Sequence, residues 1–134
     1  MLKTKCIQPE ILGILASSGH GDRILIADGN FPASTKAEGI PCVRLGYAPG
    51  CPSAPEILRV LLETVRCESA ALMAADDGTV PEAEKELASV LEILPPLFLP
   101  RAEFYAACGE PRVKLVILTG ENRPYGNVLL TLGV

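Results

Sequence analysis

The side chains in this sequence best placed to do chemistry are one histidine, one aspartate, one arginine and a tyrosine–asparagine pair. His20 stands in Gly19-His20-Gly21-Asp22, and Asp28 in Ala27-Asp28-Gly29-Asn30, on either side of the apolar run Ile24 to Ala27. Arg101 follows Pro100, and Tyr125 and Asn127 enclose Gly126. His20 is the sole histidine, and an imidazole, titrating near neutrality, suits the movement of a proton in both directions. Asp28 after a buried strand suits orienting a histidine or accepting bonds from ligand hydroxyls, and Tyr125 with Asn127 suits donating and accepting at a pocket rim. Each has a plainer reading: His20 as a cap on a preceding helix, Asp28 as an Asx-turn over Gly29-Asn30, Arg101 as a surface cation, and Tyr125-Gly126-Asn127 as an ordinary turn. Glu121 and Asp77 read as turn residues.

Other chemistries lack their residues. A structural zinc site needs clustered cysteine and histidine, and the five cysteines (Cys6, Cys42, Cys51, Cys67 and Cys108) are scattered without a Cys-x-x-Cys. No metal site is expected. There is no Gly-x-Gly-x-x-Gly and no P-loop. Gly-His-Gly-Asp has no serine where a nucleophile elbow needs one, and a Cys–His hydrolase through Cys42 or Cys51 has no local signature.

The elements that must position these groups alternate along the chain. Pro9 to Ser18 predicts a helix with Ile11, Leu12 and Leu15 on its apolar face, ended by Gly19 in a left-handed conformation. Arg23 to Ala27 predicts a strand buried on both faces. Phe31-Pro32 leads into a loop through Gly39, and Cys42 to Leu45 predicts a second strand. Gly46 to Pro55, rich in glycine and proline, reads as an irregular loop or lid. Ser53 and Glu56 have capping-box spacing ahead of a helix bearing Ile57, Leu58, Leu61, Leu62 and Val65. Ser69 to Ala75 predicts a central strand. Thr79 and Glu82 repeat the capping-box spacing before a helix to about Leu94, stopped by Pro95-Pro96. Leu97 to Leu99 predicts a short strand, Ala102 to Cys108 a short helix, and Val113 to Leu118 and Val128 to Leu132 the last two strands. The pattern argues for one α/β domain over residues 1–134, with a mainly parallel sheet and helices on both faces. Ligands of such sheets gather at strand ends, where all the candidates fall.

Composition bounds the rest. The chain has 134 residues, 49% hydrophobic and 21% charged, with net charge -4, and its mean hydropathy is +0.31. That much apolar surface on a small domain predicts self-association. Without a basic cluster there is no electrostatic footprint for nucleic acid. No apolar run approaches the ~20 residues of a membrane span, and the first residues lack the apolar core of a signal peptide, so no membrane contact is expected. Scattered, odd-numbered cysteines fit a reduced cytoplasm.

Four blocks together resemble the L-fucose mutarotase family and its sister, the D-ribose pyranases. They are Gly19-His20-Gly21-Asp22, Ala27-Asp28-Gly29-Asn30-Phe31-Pro32, Arg101-Ala102-Glu103-Phe104-Tyr105, and Thr119-Gly120-Glu121 with Tyr125-Gly126-Asn127. The resemblance spans nearly the whole chain. It implies a ring-forming homo-oligomer, commonly a decamer, with a monosaccharide held near a subunit boundary and no cofactor. It assigns His20 as proton donor, and Asp28, Arg101, Tyr125 and Asn127 as sugar contacts. Gly21, Phe31, Arg101 and Gly126 resemble the fucose type, since the ribose type carries Thr, Leu, His and Ala there. Gly29 departs from the alanine usual in fucose-type sequences. A carboxylate of the animal members maps loosely to Glu68. The expected reaction is interconversion of the anomers of L-fucose, with His20 moving one proton and Tyr125 the other. The rival readings are D-ribose pyranase activity and a non-catalytic sugar-binding accessory of uptake.

Overall fold

A computed structural model describes residues 1–134. Six strands form one sheet in the order β2-β5-β1-β6-β3-β4, with five helices around it. The central strands are β1 (Arg23–Ala27), β5 (Val113–Leu118), β6 (Val128–Leu132) and β3 (Cys67–Met73); β2 (Cys42–Arg44) and β4 (Leu97–Leu99) are the edges. β1, β2 and β5 run parallel, as do β3 and β4, but β6 lies antiparallel to both β1 and β3. The mainly parallel sheet is therefore mixed, with its one reversed strand in the middle.

β1 shows why an unbroken apolar run is needed there. Period-2 alternation sends Ile24 and Ile26 to one face, where they pack with Ile11 and Leu15 of α1 (Pro9–Ser17), Leu58 and Leu61 of α3 (Ala54–Leu62) and Leu87 of α4 (Glu82–Val90). Leu25 and Ala27 face the other way, against Ala37, which follows α2 (Ala33–Lys36), and Phe104, Ala107 and Cys108 of α5 (Arg101–Cys108). Fully burying one such aliphatic side chain is worth about 1.5–3 kcal/mol, so a polar residue on either face would be costly.

The capping box at α3 forms as expected: the Glu56 N–H donates to Ser53 Oγ at 3.3 Å and the Ser53 N–H to Glu56 Oε2 at 2.7 Å. Its expected twin does not. The N-cap of α4 is Pro81, with no side-chain bond, because Thr79 donates instead to Asp77 Oδ1 through both its N–H, at 3.0 Å, and its hydroxyl, at 2.7 Å. An Asx-type turn has taken the threonine from the helix, and Asp77 is the turn residue the sequence suggests. α4 ends at Val90, with Leu91 as its cap.

Two further expectations are corrected nearby. α1 is capped by Ser18 in an extended conformation, and the left-handed glycine is Gly21, at φ 86°. The loop after Phe31 contains α2, whose turn closes through Lys36 N–H to the Pro32 carbonyl at 2.9 Å. Nor is the segment from Gly46 a free lid. Gly120 donates to the Pro52 carbonyl at 2.8 Å, and a Cβ on Gly120 would collide with the Cys51 carbonyl oxygen, so the two backbones are in direct contact. All five cysteines are free, no cluster of three or more His, Cys, Asp or Glu side chains is placed to hold a metal, and no helix is long and apolar enough to cross a membrane.

Candidate active site

Strand direction decides which polar groups meet. Asp28 follows β1, Thr119 to Glu121 follow β5, Asp76 follows β3 and Arg101 follows β4, so all stand at the carboxyl ends of parallel strands. β6 runs the other way, which brings Tyr125 and Asn127, just ahead of its first residue, to that same end.

There Asp28, Arg101, Tyr125 and Asn127 line one cavity of about 240 Å³, with Asn30, Phe31, Met73, Tyr105 and Pro124 completing the wall. Asp28 and Asn127 are buried and doubly bonded. Asn127 Nδ2 donates to Asp28 Oδ2 at 3.0 Å, and the Asp28 N–H donates to Asn127 Oδ1 at 2.9 Å. The Asx-turn is present too, with the Asn30 N–H donating to Asp28 Oδ1 at 2.9 Å. The plain reading of Asp28 holds, and the side chain that shapes the turn also lines the cavity. Burial pushes the Asp28 carboxyl above its ordinary range, against the opposing pull of its bonds from Asn30 and Asn127.

Arg101 is more than a surface cation. It donates from Nη2 to the Tyr125 hydroxyl, lies 5.5 Å from the centre of that ring, and its Nε is 3.5 Å from Asp76 Oδ2. The bond to Tyr125 holds the guanidinium above its ordinary range, with Asp76 adding to it. Since arginine has no acceptor, it occupies a lone pair of the phenolic oxygen and leaves the hydroxyl proton free for a ligand. Among the lining residues Phe31 meets Tyr105 edge-to-face, at 5.7 Å between ring centres, adding apolar surface to the cavity. The set can grip a small polyhydroxylated molecule and exchange protons with it; at this volume the cavity lies below the ~300–1,000 Å³ of pockets for larger ligands.

His20 is not among the lining residues. It precedes β1 while Asp28 follows it, and five strand residues span roughly 17 Å, so within one chain the imidazole and the cavity lie at opposite ends of the sheet. Nor does it cap α1. Its Nε2 is 2.7 Å from Glu68 Oε2, with both side chains largely exposed. Asp76, just beyond the end of β3, is a partner that sequence reasoning did not assign, and Glu68, near its start, is reached there only as a loose match through the resemblance, without its histidine partner. The β3 pattern could not signal them, because pairing across strands depends on a sheet order the sequence does not state.

Comparison with known proteins places this geometry in a family. The model of the RbsD / FucU transport protein family matches residues 1–134. D-ribose pyranase 2 of Streptomyces griseus is 34% identical over 136 residues, covering 100% of this chain and 98% of the relative. The D-ribose pyranase of Streptomyces coelicolor is 36% identical over 135 residues, with the same coverage. Among solved structures, Bacillus subtilis RbsD complexed with D-ribose superposes with a TM-score of 0.85 at 30% identity, covering 100% of this chain and 98% of that one. The fucose mutarotase of Streptococcus pneumoniae in complex with L-fucose gives 0.83 at 25% identity, covering 100% and 99%. A full-length family match, backed by relatives above 30% identity over the whole chain, makes this protein a member of the RbsD/FucU family.

Proposed function

We propose that the protein is a cofactor-free sugar isomerase that opens and recloses the ring of a monosaccharide. The observation that carries this reading is the convergence of Asp28, Arg101, Tyr125 and Asn127 on one small cavity. Ring opening needs a proton delivered to the ring oxygen and another removed from the anomeric hydroxyl, while the bond from the anomeric carbon to the ring oxygen breaks. The aldehyde so formed rotates and is attacked again, from the other face or by another hydroxyl. Asp28, Asn127 and Arg101 hold the sugar hydroxyls and fix the ring's orientation. Tyr125, its oxygen already bonded by Arg101, handles the proton of the anomeric hydroxyl.

His20 is the donor to the ring oxygen in this scheme, and it acts on the cavity of a neighbouring copy. Its exposure and its place at the opposite end of β1 support that arrangement. Glu68, bonded to Nε2, orients the ring and leaves the other nitrogen to face the sugar. The copies assemble as a closed ring. Exposed apolar side chains support association: Leu97 and Phe98 on edge strand β4, and Ile93 after α4.

For the sugar, the named relatives support D-ribose, interconverted between pyranose and furanose forms. A second reading, L-fucose and its anomers, is favoured by Gly126. A Cβ there would lie 2.5 Å from Glu121 Cγ, so the alanine of the ribose type would sit in this turn only by displacing the Glu121 side chain. Exchange NMR on D-ribose, L-fucose and D-galactose separates the two by the sugar with the larger rate per enzyme. Exchange no faster than the spontaneous rate for all three would remove the isomerase reading and leave a binding accessory.

A further inference from the structure

Glu121 does not line the cavity, yet it touches both loops that form it. Its carbonyl accepts the Gly29 N–H at 2.8 Å, fixing the turn that carries Asp28, and its own N–H donates to Thr119 Oγ1 at 3.1 Å. The side chain is 1% exposed, and both carboxylate oxygens are occupied. Oε1 accepts from the Arg123 backbone N–H at 3.0 Å and from Arg123 Nε at 2.9 Å, and Oε2 accepts from Nη2 at 2.9 Å. Arg123 is anchored in turn to α4, with Nη2 2.8 Å from Glu86 Oε2. This ion pair folds 121–123 into a closed clasp.

The clasp constrains the next turn of the chain. Glu121 Cγ lies so close beneath Gly126 that an added Cβ would fall 2.5 Å from it, and 3.5 Å from Asp28 Cβ. Between clasp and glycine, Tyr125 adopts φ 62°, the sole non-glycine residue with positive φ. Such a conformation is unfavourable for an aromatic residue and persists only where its surroundings impose it.

We propose that Glu121 is a positioning residue: its buried carboxylate, locked by Arg123, holds the turn that aims the Tyr125 hydroxyl at the cavity while its carbonyl fixes the Asp28 turn against it. The kinetic consequence rests on the sugar-isomerase reading; the geometric one does not. Acidity is not needed from Glu121, whose side chain is not part of the cavity wall.

The test is Glu121→Gln in the full chain, a change that keeps the shape and removes the charge. The variant folds cooperatively by circular dichroism, the Tyr125 ring signals (assigned against Tyr125→Phe, the chain having three tyrosines) shift or broaden, and kcat falls about 10- to 100-fold, the scale of a small misplacement of a reacting group. KM changes much less, because Asp28 and Asn127 keep their mutual bonds and Arg101 keeps its ion pair with Asp76. Glu121→Asp, retaining the charge, recovers part of kcat. Should Glu121→Gln not fold, Gly126→Ala presses on the same Cγ and gives the same Tyr125 signature. A folded Glu121→Gln with wild-type Tyr125 signals overturns the proposal, and so does one with shifted signals and unaltered kcat. If the wild-type protein exchanges no sugar, the isomerase reading fails, while the Tyr125 signals still decide whether Glu121 sets the turn.

Discussion

Sharing of the site between copies is the consequence with the sharpest arithmetic. Within a chain His20 is separated from the cavity by the roughly 17 Å length of β1, whereas proton transfer needs heavy atoms within about 2.6–3.2 Å. A chain with His20→Ala retains a sound cavity but offers its neighbour no donor. A chain with Asp28→Asn retains the donor but has a damaged cavity. If His20 acts on a neighbour's cavity as proposed, each assembled alone should be inactive. Co-expressed in equal amounts under two different tags and purified through both, the chains meet at random at each boundary. In a closed ring of this kind about a quarter of the sites then pair an intact donor with an intact cavity. Anomer exchange per site should return to about a quarter of the wild-type rate, read by exchange NMR. If His20 served its own chain, every site in the mixture would carry one lesion. Tandem-purified mixed assemblies no more active than either parent would therefore refute the argument, as would near-wild-type exchange by His20→Ala alone.

Three other outcomes are expected. Tyr125→Phe should lower kcat by about 10²–10⁴-fold, the ordinary worth of a positioned proton-transfer group, while sugar binding measured by saturation transfer persists. The two buried carboxylates should act on stability with opposite sign. Burial raises Asp28 above its ordinary range, so its ionisation costs the fold stability as pH rises through that range; relative to Asp28→Asn, which does not titrate, the wild type should gain melting temperature as pH falls through the raised value. The bonds from Arg123 hold Glu121 below its ordinary range, so its contribution is complete above that range; Glu121→Gln should melt lower at neutral pH, with that gap closing only in stronger acid. Finally, Phe98→Asp on the exposed edge strand should reduce the mass seen by light scattering, and an unchanged mass would remove β4 from the interface.

The elements were legible wherever hydrophobicity alone specifies them. The apolar runs at β1, β4, β5 and β6 delimit those strands to the residue: β1 and β6 are buried almost throughout, β5 is interrupted only by the exposed Lys114, and β4 is an apolar edge bounded by prolines. Ser53 and Glu56 were readable as a capping box because both partners lie in one short segment. Thr79 was not, because Asp77 competes for the same hydroxyl and spacing cannot say which partner wins. The gathering of Asp28, Arg101, Tyr125 and Asn127 depended on a fact no local pattern carries, that β6 alone runs against its neighbours. Conversely, the separation of His20 from Asp28 was already written in the five residues between Asp22 and Asp28, since a strand of that length must put its two ends apart. The His20–Glu68 pair and the Glu121–Arg123 clasp required side-chain contacts that only the folded sheet supplies.

The central claim is that one imidazole delivers a proton to the oxygen closing a sugar ring. It is tested most directly by two-dimensional exchange NMR of D-ribose and L-fucose at equilibrium, with wild-type protein and with His20→Ala at equal concentration. The account predicts exchange cross-peaks that grow with wild-type concentration for at least one sugar, and their collapse to the spontaneous rate in His20→Ala, which still shows saturation transfer to the bound sugar. Undiminished exchange in a folded His20→Ala would contradict it.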